Sequence, residues 1–80
     1  MAKAKYIRTK DNKIIVFSEL QLHSEFKHFE PISAGFIFFT IDEDRNSDCF
    51  CYGESISLDL KSKEDDTMLA KRQILGYKYY

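Results

Sequence analysis

Residues 34–41, Ala-Gly-Phe-Ile-Phe-Phe-Thr-Ile, are apolar on both faces of a strand. Successive strand side chains point to opposite sides, so Ile37, Phe39 and Ile41 face one way and Phe36, Phe38 and Thr40 the other. A sheet with one wet face alternates apolar and polar positions. This run asks for cover on both sides, yet the rest of the chain offers one substantial helix. A binding partner is the candidate for the second cover.

The same reading divides the remaining sequence. Residues 5–9 and 13–18 read as two strands joined by Lys10-Asp11-Asn12, where Asp and Asn tolerate the left-handed backbone of tight hairpins. Residues 34–41 and 48–54 form a second hairpin across the polar stretch 42–47. With Ile41 opposite Cys49, Phe39 falls beside Cys51, Phe38 beside Tyr52 and Thr40 beside Phe50. An even shift of register keeps those faces and an odd shift exchanges them. Residues 56–60 alternate like a short edge strand. Residues 19–30 read as a loop with one or two helical turns: Ser24 caps them, Phe26 and Phe29 share a face, and Pro31 stops them. Residues 62–75 predict a helix, opened by the Ser62-x-x-Asp65 start signal, with acids in its first turn, Lys71 and Arg72 near its end, and Gly76 to close it.

These elements amount to one small α+β domain over residues 1–80, a small antiparallel sheet of two β-hairpins with a C-terminal α-helix packed on one face. Ile37, Phe39, Ile41, Cys49 and Cys51 are expected beneath the helix, because Cys favours interiors. Thr40, Tyr52 and Glu54 mark the other face as wetter. An 80-residue chain buries roughly 60–65% of the surface its unfolded form exposes. Seven Phe and five Tyr are too many for so small a core to hide entirely.

Charge narrows the function. The net formal charge is −1, whereas nucleic-acid binders carry a strong basic excess. Lys3, Lys5, Arg8, Lys10 and Lys13 do cluster near the start, and a solvated, fraying end is the expectation there. No secretory signal follows Met1, no run reaches the roughly 18 apolar residues of a membrane span, and Cys49 and Cys51 sit too close along one strand to bridge. A cytoplasmic protein with free thiols follows.

Four patterns invite chemistry. His23, His28, Cys49 and Cys51 are zinc-compatible ligand types, but Cys-x-Cys and a His pair five apart are poor spacings. Residues 42–48 alternate acids as calcium loops do, yet Ser47 and Gly53 stand where that loop needs Gly and a bidentate Glu. Gly53-Glu54-Ser55-Ile56-Ser57 lacks the last Gly of a nucleophile elbow. No cofactor, metal site or enzymatic activity is expected from them. The fourth pattern is aromatic: Phe36, Phe38, Phe50 and Tyr52 share one sheet face and form the candidate partner-binding residues, for a protein partner or a homodimer. Single-stranded nucleic acid stacking on the same rings is the alternative.

The segments Lys13-Ile14-Ile15-Val16-Phe17-Ser18, His23-Ser24-Glu25-Phe26, Pro31-Ile32-Ser33-Ala34-Gly35-Phe36 and Cys51-Tyr52-Gly53-Glu54-Ser55 resemble short uncharacterised proteins of bacterial genomes and their phages. The resemblance spans most of the chain. It implies a small accessory protein of a mobile element and carries no activity or site residue with it.

Overall fold

In the computed structural model, which describes residues 2–76, a four-stranded antiparallel sheet carries one α-helix near the C-terminus. The strands are β1 (Ala2–Thr9), β2 (Ile14–Phe17), β3 (Pro31–Ile41) and β4 (Ser47–Tyr52), arranged in the order β2-β1-β3-β4. A 3-10 helix, His23–Phe29, lies between β2 and β3. Two-residue strands β5 (Glu54–Ser55) and β6 (Leu60–Lys61) pair separately, and α1 spans Asp66–Ile74.

The β1–β2 turn closes on Asn12, whose φ of 64° is left-handed, with the Thr9 amide bonded to the Lys13 carbonyl at 2.9 Å. Asn12 then serves a second purpose, because its side-chain oxygen accepts from the Arg8 guanidinium at 2.8 and 3.1 Å. The β3–β4 turn closes similarly on Arg45, with Asp42 accepting the Asn46 amide at 2.8 Å. Asp42 therefore organises the turn.

Several boundaries differ from the sequence reading. The basic start does not fray: β1 begins at Ala2 and pairs with β3 from Ala2 opposite Phe39 onward. The β3–β4 register is displaced by two residues, Phe39 facing Cys49 and Phe38 facing Phe50. An even displacement leaves every side chain on its expected face. Residues 56–60 do not form a strand. Instead Ile56 opens the turn between β5 and β6, its carbonyl accepting the Asp59 amide at 3.2 Å. The loop around Ser24 is a 3-10 helix in which the Glu25 carboxylate, not Ser24, holds the entering amide of Leu22, at 2.8 Å.

The helix α1 starts four residues later than its sequence signal, because Asp66, not Asp65, folds back to accept the Lys63 amide at 2.9 Å. The helix lies over one sheet face, where Tyr6, Ile37, Cys49 and Ala70 are buried together and Phe39 and Cys51 are partly buried. Ile41, expected in that core, is 67% exposed, since β3 runs on beyond the helix. The opposite face holds a second core of Ile7, Phe17 and Ala34, packed by Phe26 from the 3-10 helix and by Leu58 and Leu60. No described helix is long and apolar enough to cross a membrane.

A candidate interaction surface on the second sheet face

The second face is covered along half its length. Two glycines set where the cover ends. Gly35 is buried where β3 passes β4 so closely that a Cβ there would stand 2.4 Å from the Tyr52 carbonyl oxygen. Gly53, at φ +79°, then turns the chain off the β4 edge, and its carbonyl accepts the Ser62 amide at 3.0 Å. Only a residue without a Cβ takes that backbone cheaply. From this pivot β5 and β6 pass over the N-terminal half of β3 and bring Leu58 and Leu60 to the second core.

Beyond the cover the aromatics remain. Lys5, Phe36 and Tyr52 form one cross-strand row, and Lys3, Phe38 and Phe50 the next. The four rings touch as a ladder, with centroids 5.8 Å apart for Phe36–Tyr52 and 5.6 Å for both Phe38–Phe50 and Phe50–Tyr52. The Lys3 ammonium lies 4.8 Å from the Phe36 centroid, within cation–π range. Phe36, Phe38 and Tyr52 are half-buried by one another, and Phe50 is 48% exposed.

At the foot of the cover lies an open cleft of about 470 Å³, bounded by Lys5, His23, Phe36, Tyr52 and Ile56 among others. His23 is buried between Phe17 and Phe36, and its Nε2 lies 2.8 Å from the Gly35 carbonyl oxygen, so that nitrogen carries the proton. Burial holds the imidazole below its ordinary pKa of 6.5, and the Lys5 charge adds to this against the opposing Gly35 carbonyl. Ile56, which lines the cleft, is 89% exposed, and Leu20 and Leu22, in the loop before the 3-10 helix, are 95% and 59% exposed. Leu20 and Leu22 therefore do not fold over the rings; Phe26 alone of that segment's apolar residues reaches the core, stacking on Phe17 at 4.0 Å.

The potential zinc ligands are divided by the sheet. His23 lies on the second face, and Cys49 and Cys51 lie on the helix face. Among the described residues no three His, Cys, Asp or Glu side chains converge to hold a metal. Burial raises both thiols, Cys51 to about 12 with the Asp66 charge contributing, so both stay protonated and unreactive at neutral pH.

Sequence reasoning missed one cluster, on the helix face. Asp66 is fully buried and accepts from the Tyr6 hydroxyl, from Arg8 Nη1 at 3.0 Å and from the Lys63 amide. Arg8 also donates to Asp65 at 2.7 Å, which holds that exposed carboxyl below its usual range. Every oxygen of Asp66 is satisfied inside the fold, so the cluster is a fastening. The alternation of β1, which places Tyr6 and Arg8 on one face, was its only sequence signal.

No family model, curated protein or solved structure matches this chain.

Proposed function

We propose that this chain is a non-enzymatic interaction module that binds protein, either a second copy or another chain, through the face of Phe36, Phe38, Phe50 and Tyr52. One observation carries the reading: the domain has a cover for this face, and the cover stops at the Lys5–Phe36–Tyr52 row, leaving a ring ladder beside exposed Ile56. Contiguous apolar surface of that kind marks interaction sites. Free, protonated thiols suit a cytoplasmic setting, and the resemblance to short bacterial and phage proteins suits an accessory role.

The test is Phe38→Lys. Sedimentation should show association lost while the thermal melt of the monomer stays close to that of wild type. A variant that melts early would make Phe38 ordinary core and end the reading.

Lys3 and Lys5, lining one side of the ladder, favour a second reading in which single-stranded nucleic acid stacks there. That affinity would fall steeply with salt as counterions are released. Absence of binding to mixed-sequence oligonucleotides at low salt excludes it.

A further inference from the structure

We infer that the cleft at the foot of the cover receives an aromatic side chain bearing a hydrogen-bond donor, a tyrosine or tryptophan, presented by a protein partner. The inference rests on the reading of this face as a protein interface and names what that partner must offer. His23 carries the argument. It is 5% exposed, and its Nε2–H is spent on the Gly35 carbonyl oxygen at 2.8 Å, which leaves Nδ1 of the neutral ring as an acceptor. No described residue donates to that acceptor. Among the described residues, Ser33 Oγ is the only fully buried side-chain N or O atom without a partner. Nδ1, equally unpartnered, therefore reaches the surface, and His23 meets the surface where it lines the cleft.

The rest of the cleft fixes the kind of group that donates. Its walls include the rings of Phe36 and Tyr52 and the side chain of Ile56, and its volume of about 470 Å³ falls in the range of small-ligand sites. Rings and an aliphatic chain ask for apolar area, and the acceptor asks for an N–H or O–H at its end. Tyrosine and tryptophan join the two, and both are enriched among the anchors of protein interfaces. Phenylalanine would shut the acceptor away from water and return no hydrogen bond. Lys5 and Glu54 border the cleft with opposite charges, so it does not favour an anion such as a nucleotide phosphate. Phe36 and Tyr52 belong to the ring ladder as well, which puts the cleft within reach of a chain lying along the ladder.

The experiment titrates N-acetyl-tyrosine amide, N-acetyl-tryptophan amide and N-acetyl-phenylalanine amide into the whole chain at about pH 7.5, where His23 is neutral, and follows the imidazole nitrogens by NMR. The tyrosine and tryptophan amides should bind about tenfold more tightly than the phenylalanine amide, the difference of one hydrogen bond. They should shift the Nδ1 resonance of His23 and leave those of His28 in place. Three outcomes overturn the proposal: no binding at concentrations on the order of ten millimolar, equal affinity for the tyrosine and phenylalanine amides, or a His23 Nδ1 resonance that stays put while tyrosine amide binds. If any of these occurs and Phe38→Lys still melts normally, the interface stands and its partner's anchor lies elsewhere. A Phe38→Lys variant that melts early ends the interface reading, and the proposal falls with it.

Discussion

His23 shows how one residue type takes its meaning from its surroundings. Its ring fills the angle between Phe17 and Phe36 and donates to the Gly35 carbonyl, a role that only the neutral imidazole performs without burying a charge. Because its folded-state pKa lies below the ordinary 6.5, this group's contribution to stability is complete above that pH. Below it the unfolded chain binds a proton that the folded chain refuses, so stability falls until the pH reaches the folded-state value. The melting temperature of wild type should therefore drop between about pH 7 and pH 5. His23→Gln, which keeps an N–H for Gly35, should lose less over the same interval. Equal slopes for the two proteins would show that His23 is not responsible.

At the scale of elements, the decisive feature is the close passage of β3 and β4 at Gly35 followed by the reversal at Gly53. A methyl at Gly35 would meet backbone, the Tyr52 carbonyl, which cannot swing aside as a side chain could. Gly35→Ala should cost about 1–3 kcal/mol, read from a denaturant titration. It should also part the end of β4 from β3, with amide exchange at residues 52–55 accelerated before the rest of the sheet. An unaltered titration would mean that the strands separate there at little cost. The late start of α1 belongs to the same scale. The Ser62-x-x-Asp65 signal predicts a cap from local spacing, but Asp66 is drawn down into the sheet, and the helix begins where that buried carboxylate permits.

Over the whole molecule, the two ends of the chain are fastened through Asp66. It joins Tyr6 and Arg8 of the first strand to the last helix, across separations of 60 and 58 residues. Its loss leaves the buried Tyr6 hydroxyl and the Lys63 amide without their acceptor, at about 1–3 kcal/mol each, and Arg8 with Asp65 as its one remaining carboxylate, so Asp66→Ala should cost about 3–5 kcal/mol. That is a large share of what so small a domain holds in reserve. The expected result is a protein largely unfolded near room temperature by circular dichroism. A cooperative melt close to wild type would reduce the cluster to a surface ornament. The helix also ties one amide on each edge of the sheet, Ile14 of β2 to Gln73 and Cys51 of β4 to Thr67.

Alternation and turn chemistry in the sequence were enough to place the four strands of the main sheet to within a few residues, the two faces of β3 and the side on which each of its aromatics stands, but they misread residues 56–60 as a strand. They depend on the period of two and on residues such as Asn12 that tolerate left-handed backbone, both local properties. The boundary between covered and uncovered face was not legible, because it depends on a glycine pivot at Gly53 acting with a close approach at Gly35, and neither produces a periodicity. The same holds for β1: the Lys residues near its start read as a solvated end, yet backbone pairing with β3 orders them regardless of side-chain charge. Nothing in the local pattern says that the apolar Leu20, Leu22 and Ile56 end in water; the tertiary structure puts them there, since a short cover with Phe26, Leu58 and Leu60 already fills the space above Ile7 and Ala34. Which apolar residues become surface is decided by volume, and volume is a property of the packed chain.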